Sequence, residues 1–570
     1  MEQLWELRQP DHNTASRLSR QLGLHALTAK LLNNRSIYHL EEAQRFLKPS
    51  FKDLPPPDVL EDMDKATSRI ATAIENKEKI LVFGDYDVDG ITATTLLYRF
   101  LGDAGACVSF YIPDRITEGY GLKKTHITAC ALDRKVTLII TVDCGSSSHE
   151  AILEARRHDI DVIVTDHHEM PDELPKAVAV INPKRKDNAA GLDNLAGVGV
   201  AFYLIINVRL ELRKMGFWHA KKEPNLRSYC DLVALGTVAD VTPMVRENRI
   251  LTRAGLEVLQ STDNGSLQTL MAQCGIDKRY VDAMDIAFKL APRLNAAGRV
   301  AHADDAMALL TADNPAAAAR QADHLTALNQ KRRKMEKILL QEIDAYLDQD
   351  PSMSQTHIIM LHGRGWHMGI LGIVASRLVD RFARPVVILT LEGDVAKGSA
   401  RSIPGVDLSG LFNTCARHLT SFGGHAMAAG LQLPAHNIDA FRGALEENAA
   451  AMTSPGMAVP TLMIDDMLDF KQISRDLILE IDLLKPFGEK NPEPLFMAHN
   501  VQVMSSKTLS GGHRRMTLSQ ADGPRFQAIQ FNPAPQAAAL DFFNKMAYRV
   551  QLNRWNGREN IQLVVENILN

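Results

Sequence analysis

Short runs of almost continuously apolar residues alternate with amphipathic stretches in the first half of the chain. The runs occupy residues 79–84, 107–112, 136–142, 161–165 and 177–181, and helical stretches such as 147–158 separate them. Strands that are apolar on both faces are typical of a parallel sheet covered on both sides. The pattern therefore predicts an α/β domain built on a parallel sheet.

A long amphipathic stretch with helix signals at both ends follows this region. Asp313-Asn314-Pro315 offers a cap residue and a first-turn proline, and Asp350-Pro351 ends the pattern. A helix of about 35 residues would span roughly 50 Å. We expect it to connect two lobes, the second an α/β domain with strands in THIIMLHG and PVVILTLEG.

The last part of the chain changes to strict alternation of apolar and polar residues. Gly511-Gly512 and Asn556-Gly557 are hairpin turn signals within it. This predicts a small antiparallel barrel. The expected domains are an N-terminal extension at 1–56, the parallel-sheet domain at 57–312, the connector helix at 313–350, the second α/β domain at 351–452 and the β-barrel at 461–570.

Composition narrows the class of protein. The chain has 570 residues, which is too many for a single hydrophobic core. The six cysteines form no CxxC pair, and the N-terminus has no apolar signal-peptide core, which favours a reduced, cytoplasmic protein. A net charge of −4 argues against a basic coat for nonspecific duplex binding.

Acidic clusters stand where the apolar segments end. The residues are Asp85, Asp87 and Asp89 in GDYDVDG, Asp143 in TVDCG, Asp166, His167 and His168 in TDHH, and Asp240 in TVAD. Ligands of such sheets bind beyond the carboxyl ends of the strands. Because carboxylates packed this closely repel one another, we expect a cation among them.

Simpler interpretations exist for single clusters. Asp143 and Asp240 could each be an ordinary helix cap. A calcium loop would need a glutamate six residues after its glycine, where this chain has Leu96, and would follow a helix rather than a strand. Oxygen-rich ligands with one or two imidazoles favour Mn²⁺ or Mg²⁺. Two such ions about 3.5–4 Å apart would suit in-line displacement at phosphorus.

Further motifs make the chain resemble the DHH phosphoesterase superfamily and, within it, exonucleases specific for single strands. They are RLNAAGR (293–299), GWHMGILGIVASR (365–377), GSARS (398–402), FGGHAMAAG (422–430) and KPFGEKNPEP (485–494). The resemblance covers nearly the whole chain. It implies that residues 57–312 form a catalytic DHH domain and that residues 351–452 form a substrate-binding domain of DHHA1 type. It also implies that the barrel at 461–570 resembles an OB-fold that binds nucleic acid.

The resemblance also implies a set of metal ligands and catalytic residues. The metal shell would be Asp85, Asp87, Asp89, Asp143, His167 and Asp240. Asp143 would bridge the ions, and His168, beside Asp166, would lie close to the scissile phosphate. One position departs from the family: many relatives carry a histidine where this chain has Phe83.

Substrate-binding residues are implied in the same way. Ser399 and Arg401 suit a terminal phosphate, because a guanidinium pairs with two phosphate oxygens. Arg299 and His425 would face the metals across the cleft; pairing with a carboxylate and a tight turn at GGH are the simpler interpretations.

Arg115 and Tyr120 match a segment that contacts substrate, and tyrosine can stack on a base. Basic residues elsewhere are weaker candidates. The run Lys331-Arg332-Arg333-Lys334 is either a solvated face or a DNA contact. In the C-terminal region the candidates for single-strand contact are Arg514, Arg515, Arg554 and Trp555, though Trp555 could instead be a core residue.

The resemblance implies a function. The expected enzyme is a metal-dependent exonuclease that removes 5′-mononucleotides from single-stranded DNA in the 5′ to 3′ direction. It would act in DNA repair and recombination, as a monomer, with a helicase and a single-strand-binding protein. The alternatives are a phosphoesterase for small molecules or short oligonucleotides, for which a C-terminal β domain is unnecessary, and a noncatalytic scaffold.

Overall fold

The computed structural model describes residues 4–262, 264–452, 461–521, 523–555 and 558–569. The chain forms two compact units. Unit 1 combines Met1–Pro55, Val241–Arg253 and Pro460–Asn570, and unit 2 combines Pro56–Asp240 and Ala254–Val459. No helix in the described ranges is long and apolar enough to cross a membrane.

Secondary structure in the first 310 residues alternates as the apolar runs predict. The elements are β1 Leu4–Leu7, α1 His12–Leu22, α2 Ala26–Asn33, α3 Leu40–Leu47, α4 Met63–Glu75, β2 Lys79–Gly84, α5 Val88–Asp103, β3 Cys107–Tyr111, α6 Lys124–His126, β4 Leu138–Val142, α7 His149–Arg157, β5 Asp161–Thr165, β6 Ala179–Ile181, α8 Gly197–Lys214, α9 Cys230–Ala239, α10 Arg246–Ser261, α11 Gly265–Gln273, α12 Ala283–Asp285, α13 Ala291–Val300 and α14 Asp304–Leu310.

The remaining elements build the connector, the second sheet and the barrel. They are α15 Pro315–Gln349, β7 Ile359–Arg364, α16 Met368–Phe382, β8 Val386–Glu392, β9 Val395–Arg401, α17 Leu408–Thr414, β10 Ser421–Gly424, β11 Ala428–Pro434, α18 Ile438–Met452, β12 Thr461–Ile464, β13 Asp466–Met467, α19 Arg475–Asp482, β14 Phe496–Thr508, β15 Arg514–Gln520, β16 Phe526–Gln530, α20 Pro535–Ala538, β17 Phe542–Trp555 and β18 Arg558–Leu569.

The first sheet of unit 2 is fully parallel, with strand order β3-β2-β4-β5-β6. Leu81, Ile139 and Val162 pack with Ile152 of α7 in one hydrophobic cluster. The alternate strand residues, Ile80, Val82, Ile140 and Ile163, are also fully buried. Both faces are therefore covered, which explains the continuous apolar runs and confirms the predicted fold class.

The connector helix and a mixed sheet complete unit 2. Helix α15 begins at Pro315, and the Asn314 side chain accepts a hydrogen bond from the Ala317 amide at 2.9 Å. The second sheet has strand order β10-β11-β9-β8-β7, in which only β7 and β8 are parallel. Helix α16 packs on β8 and β9, and α15 packs on α16 and α13.

Unit 1 contains the C-terminal barrel. Strands β14, β15, β16, β18 and β17 follow one another around it, and β17 pairs with β14 to close it. The turn predicted at Asn556-Gly557 lies outside the described residues. The segment expected to be a separate N-terminal extension belongs to this unit: β1 pairs in parallel with β12, and Leu18 and Leu31 share a core with barrel residues such as Phe496. A pairing across more than 450 residues leaves no local signal in the sequence.

Candidate metal centre

The acidic residues lie at one edge of the parallel sheet. Strands β2, β4 and β5 are neighbours, and Asp85, Asp143 and Asp166 directly follow their carboxyl ends. Asp240 follows the last residue of α9. Because parallel strands end at the same edge, residues distant in sequence are brought together there.

Asp87 and Asp89 are held by the first turns of two helices. The Asp87 carboxylate caps α5 and accepts hydrogen bonds from the amides of Asp89 and Gly90 at 2.9 and 3.1 Å. The buried Asp89 carboxylate accepts hydrogen bonds from the amides of Gly197 and Val198, at the start of α8, at 2.6 and 2.9 Å. Helix N-termini stabilise negative charge, so these contacts fix both carboxylates.

Asp143 occupies an unusual backbone position. Its φ is 59°, a left-handed value that is uncommon for a residue with a side chain. A Cβ atom added to Gly197 would lie 2.7 Å from Asp143 Oδ1, so only glycine leaves room for this carboxylate. Backbone strain of this kind concentrates at functional sites, where the surrounding structure holds it in place.

His167 lies among three of the carboxylates. Its Nε2 atom is 3.1 Å from Asp143 Oδ1 and 3.7 Å from Oδ2 of both Asp89 and Asp240. Three triplets of potential ligands have atoms within 4.8 Å of one another: Asp85-Asp87-Asp143, Asp89-His167-Asp240 and Asp143-His167-His168. Asp143 and His167 each belong to two of them, and of the two only the Asp143 carboxylate, with its two oxygens, could be shared by adjacent metal positions.

Three atoms that could bind a metal lack, within the described part of the chain, the hydrogen-bond partners that buried polar atoms usually have. Asp85 Oδ1, Asp143 Oδ1 and His167 Nε2 are buried and make no hydrogen bond among the described residues. Buried polar atoms are otherwise nearly always paired, and each one left unpaired costs about 1–3 kcal/mol. Carboxylate oxygens and one imidazole suit Mn²⁺ or Mg²⁺, so the site as built fits a divalent cation of that type.

Burial and mutual repulsion shift the pKa values of these groups. Burial raises the pKa values of Asp85, Asp143 and Asp240 well above the usual range, and neighbouring aspartates add to the effect. Burial and the charge of Asp87 raise the pKa of Asp89 to about 7. Burial lowers the pKa of His167 to about 3, which leaves its ring neutral and able to bind a metal.

His168 is oriented by Asp166 and Tyr120. Its Nδ1 atom lies 2.8 Å from Asp166 Oδ1 and 3.0 Å from the Tyr120 hydroxyl. That hydroxyl also donates to the Asp143 carbonyl at 3.1 Å. Burial works against the charged ring, yet the Asp166 hydrogen bond and charge raise the pKa of His168 to about 9.

Asp166 is engaged entirely by protein groups. Oδ1 accepts hydrogen bonds from the His167 and His168 amides, and Oδ2 accepts one from the Ser146 amide at 3.0 Å. Burial tends to raise the pKa of Asp166, but these contacts and the two histidines hold it below its usual range. Asp166 therefore contacts His168 and belongs to none of the ligand triplets.

Asn182, whose side chain holds the backbone next to the metal centre, was not predicted from the sequence. The Asn182 amide nitrogen donates to Ser146 Oγ at 3.0 Å and to the His168 carbonyl at 2.9 Å. Asn182 follows β6 directly and is buried. A polar residue at the end of a fully apolar strand on the same sheet edge is the signal that could have found it.

Arginines lie on the substrate side of the centre. The Arg115 guanidinium stacks on the Tyr86 ring at 4.7 Å. Arg299 Nη1 donates to the Gly369 carbonyl at 3.3 Å, and a Cβ on Gly369 would come within 2.0 Å of the Arg299 carbonyl, so α13 and α16 approach closely there. Burial and the charge of Arg115 lower the pKa of Arg299 to about 9. Mutually repelling guanidiniums favour a bound anion.

The second lobe contributes three of the predicted residues. On β9, Arg401 Nη1 donates to Ser399 Oγ at 3.0 Å. His425 follows β10, and its ring is nearly parallel to that of His168, with centroids 6.2 Å apart. The predicted phosphate ligands of one motif thus lie together, and His425 lies beside the metal centre.

Phe83, where the family resemblance led to the expectation of a histidine, packs in the core. Its ring is fully buried, stacked on Tyr111 with centroids 5.7 Å apart and tilted against His126 at 5.0 Å. The neighbouring Asp85 lies in the cluster of ligands. A phenylalanine ring contributes no ligand, so the carboxylates and His167 carry the centre.

The peripheral basic candidates differ in their surroundings. Arg514 is buried and donates to Ser506 Oγ and to the carbonyls of Ala537 and Leu540, so its prediction as a DNA contact is wrong. Arg515 is exposed, whereas Arg554 pairs with Glu559 at 2.9 Å. The Trp555 side chain lies outside the described residues.

One residue of the basic run 331–334 on α15 makes contacts within the protein. Arg332 Nη1 lies 3.0 Å from Oε2 of the buried Glu336, and its Nε atom donates to Asn329 Oδ1 at 3.1 Å. Glu336 is also paired with Arg377 of α16 at 2.5 Å. Lys331, Arg333 and Lys334 are exposed. Arg332 therefore contacts residues of its own helix, among them the Glu336 that joins α15 to α16, and the other three residues of the run face solvent.

The fold and the centre define a metal-dependent phosphoesterase of the DHH class. Family models match accordingly: the DHH family N-terminal domain at residues 79–237, the DHHA1 domain at 355–451 and the RecJ OB domain at 464–567.

The chain is 34% identical over 585 residues to the single-stranded-DNA-specific exonuclease RecJ of Salmonella typhimurium, covering 100% of both chains. The chain belongs to the RecJ family.

Solved structures agree with this assignment. The structure of RecJ from Thermus thermophilus in complex with Mn²⁺ matches with a TM-score of 0.83 and 27% identity, covering 100% of this chain and 79% of that one. The structure of the same protein with Mg²⁺ matches with a TM-score of 0.76 and 26% identity, covering 100% and 78%. The predicted cofactors are thus those found in the relatives.

Proposed function

We propose that this chain is an exonuclease that removes nucleotides from the 5′ end of single-stranded DNA by metal-dependent phosphodiester hydrolysis. The proposal rests on three buried atoms that could bind a metal, in Asp85, Asp143 and His167, and that make no hydrogen bond among the described residues. They lie in the same compact unit as the phosphate-binding types Arg115, Arg299 and Arg401. Membership of the RecJ family supplies the substrate class.

Each part of the centre has a defined task in this reaction. Asp85, Asp87, Asp89, Asp143, His167 and Asp240 would hold the ions, with Asp143 shared. Bound divalent ions polarise the phosphodiester and supply a hydroxide at neutral pH. Arg299 and His425 would stabilise the charge that develops on the phosphoryl oxygens, because preorganised donors act strongly where water is excluded.

His168 is the group that would hold and deliver a proton. With Nδ1 bound to Asp166 and Tyr120, the charged ring presents its second N–H at Nε2. A pKa of about 9 keeps this proton in place at neutral pH. The imidazolium can therefore donate to a phosphoryl oxygen or to the departing 3′ oxygen, with Asp166 acting as a positioning residue.

Recognition of the strand end would come from the second lobe. Ser399 and Arg401 would bind a terminal phosphate, while Arg115 and Tyr120 would contact the first nucleotide. The barrel of unit 1 has the architecture that binds single strands in other proteins. We further propose that the enzyme works as a monomer in the cytoplasm, in DNA repair and recombination, on ends supplied by a helicase and with a single-strand-binding protein.

The test uses oligonucleotides labelled at the 5′ or the 3′ end, single- and double-stranded, with Mn²⁺, with Mg²⁺ or with EDTA. The expected result is release of 5′-mononucleotides from the 5′ end of single strands, abolished by EDTA. Equal digestion of the duplex, or release from the 3′ end alone, would exclude this specificity. Activity on short oligonucleotides that survives deletion of residues 461–570 unchanged would favour the small-substrate alternative.

A further inference from the structure

The loop that carries Arg115 and Tyr120 is held at its centre by a carboxylate that lies outside the metal centre. The loop, residues 112–123, runs from the end of β3 to the start of α6. Glu118 lies between Arg115 and Tyr120, and its side chain points back to both ends of the loop.

The Glu118 carboxylate binds groups on both sides of the loop. Oε2 accepts a hydrogen bond from the Asp114 amide at 2.6 Å, and Oε1 accepts one from the Tyr111 hydroxyl at 2.8 Å. Oε1 also lies 3.2 Å from Nε2 of the buried His126. The hydrogen bonds from the Asp114 amide and the Tyr111 hydroxyl are charge-assisted and about twice as strong as neutral ones, whereas the His126 contact has no hydrogen-bond geometry.

The proton on His126 can be placed from its other contact. The Lys123 amide donates to His126 Nδ1 at 3.0 Å. A neutral ring that accepts at Nδ1 carries its proton on Nε2, next to Glu118. Burial tends to raise the pKa of Glu118, but the Asp114 amide and the Tyr111 hydroxyl hold it below its usual value.

The backbone of the loop is tied to the same point. The amides of Glu118 and Gly119 both donate to the Asp114 carbonyl, at 2.9 and 3.0 Å. Lys123 Nζ donates to the Glu118 carbonyl. Arg115 therefore lies within a turn that closes between Asp114 and Glu118. Tyr120 follows Glu118 by two residues.

Phe83 supports this arrangement from the core. Its ring contacts both Tyr111 and His126, whose rings in turn lie 5.6 Å apart. The three rings form one packed group, and two of them present their polar atoms to Glu118. The position that departs from the family pattern thus packs behind the support of the substrate loop.

We infer that Glu118 is a positioning residue that sets the geometry of Arg115 and Tyr120 relative to the metal centre, with Tyr111, His126 and Phe83 as its support. Tyr120 reaches His168 and the Asp143 carbonyl from this loop. The inference rests on the proposed function for its kinetic consequences, and on contacts alone for the order of the loop.

The kinetic test compares Glu118→Ala with Arg115→Ala and with the double variant on single-stranded oligonucleotides bearing a 5′-phosphate or a 5′-hydroxyl. Misplacement of a binding group by about 1 Å can cost about 100-fold. We expect KM to rise about tenfold in Glu118→Ala for both strands, with a smaller change in kcat, because Arg115 and Tyr120 contact the first nucleotide and not the terminal phosphate. The loss in the double variant should be smaller than the product of the two single losses, because Arg115 acts through the position that Glu118 sets.

The control and the contradicting result are equally specific. Glu154→Ala removes a glutamate whose pairs, Arg157 and His158, lie on or next to its own helix, and should leave KM unchanged. A wild-type KM in Glu118→Ala, or losses that multiply in the double variant, would overturn the inference.

A second measurement needs no nuclease activity. Trypsin cleaves after Arg115, and cleavage reports how often the loop opens. We expect this cut to be at least about fivefold faster in Glu118→Ala, and faster to a smaller extent in Tyr111→Phe, which keeps the ring and loses one hydrogen bond. An unchanged rate would overturn the inference even if the wild type digests DNA, whereas a wild type that does not digest DNA would contradict only the proposed function.

Discussion

The two units differ in whether their buried charged groups have hydrogen-bond partners within the protein. In unit 1 the fully buried Arg249 makes five hydrogen bonds to backbone carbonyls of Phe46, Leu483, Leu484 and Pro486, and its guanidinium lies 3.9 Å from the centre of the Phe46 ring. These bonds use all five of its N–H groups. The protein alone satisfies this charge.

The acidic cluster of unit 2 is left incomplete by the protein. Asp143 Oδ1, Asp85 Oδ1 and His167 Nε2 are also buried, yet make no hydrogen bond among the described residues. Like charges face one another there and, together with burial, raise the pKa values of the aspartates. Burial of charge alone therefore does not indicate function, whereas buried charge without internal partners indicates a missing ligand.

The largest effect is expected at the shared ligand. Asp143→Asn should lower the cleavage rate by more than about 100-fold, because outer-shell partners of metal ligands already cost up to about 100-fold. Since the change also removes like-charge repulsion, the melting temperature without metal should stay the same or rise. Both are measured on the full chain, by release of label and by calorimetry; retained cleavage would remove Asp143 from the centre.

The mirror-image change in unit 1 should affect stability and not chemistry. Arg249→Met leaves several buried carbonyls without donors and should cost about 3 kcal/mol of unfolding free energy. At about 2–4 °C per kcal/mol this lowers the melting temperature by roughly 6–12 °C. The matched control is Arg45→Met, an exposed arginine of the same unit whose ion pair with Glu41 is long at 4.0 Å. A fall in kcat without a fall in melting temperature would contradict the contrast.

Metal should change the pH dependence of stability. The folded pKa of Asp89, about 7, exceeds its ordinary value of 3.8, so the folded state binds the extra proton and unfolding free energy falls as pH rises through this window. Asp85, Asp143 and Asp240 act in the same direction, and His167, with its lowered pKa, opposes them with one proton.

The measurement is calorimetric melting between pH 4.5 and 7 in EDTA and in Mn²⁺. Metal at about 100 times its Kd should add about 2.7 kcal/mol at neutral pH and remove the decline, since the cation replaces the protons. Identical curves with and without Mn²⁺ would show that the carboxylates bind no cation.

The smallest effect is expected where a residue contacts the centre through one hydroxyl. Tyr120→Phe removes the hydrogen bonds to His168 and to the Asp143 carbonyl. If these hydrogen bonds stabilise the transition state by about 0.5–1.5 kcal/mol, their loss corresponds to a roughly 2- to 12-fold decrease in kcat. The ring and its possible stacking on a base are kept, so KM should hardly change; a rise in KM alone would assign Tyr120 to binding.

Local signals predicted most of the fold and the location of the acidic cluster at one edge of the parallel sheet. The apolar runs fall on β2 to β6, and the cap at Asn314 and the proline after it start α15 where the pattern places it. Asp85, Asp143 and Asp166 could be found because a strand tip is recognisable from the strand itself. Parallel order then brings the tips together without further information.

Long-range contacts could not be predicted in this way. Nothing around Arg249 indicates that distant carbonyls will surround it, and a basic residue in a barrel suggests a DNA contact until Arg514 is seen to be buried. The same holds for Phe83, whose neighbours come from β3 and α6. Glu118 is an ordinary loop glutamate in the sequence, and only the folded structure shows which groups its carboxylate contacts.

The number of Mn²⁺ ions bound per chain tests the central claim most directly. Titration of the metal-free protein, followed by electron paramagnetic resonance, should show two ions per chain with the magnetic coupling of a close pair at about 3.5–4 Å. Asp143→Asn should abolish the coupling. Two uncoupled ions, or no binding that depends on Asp143 and His167, would contradict the assignment of these residues to a shared two-metal centre.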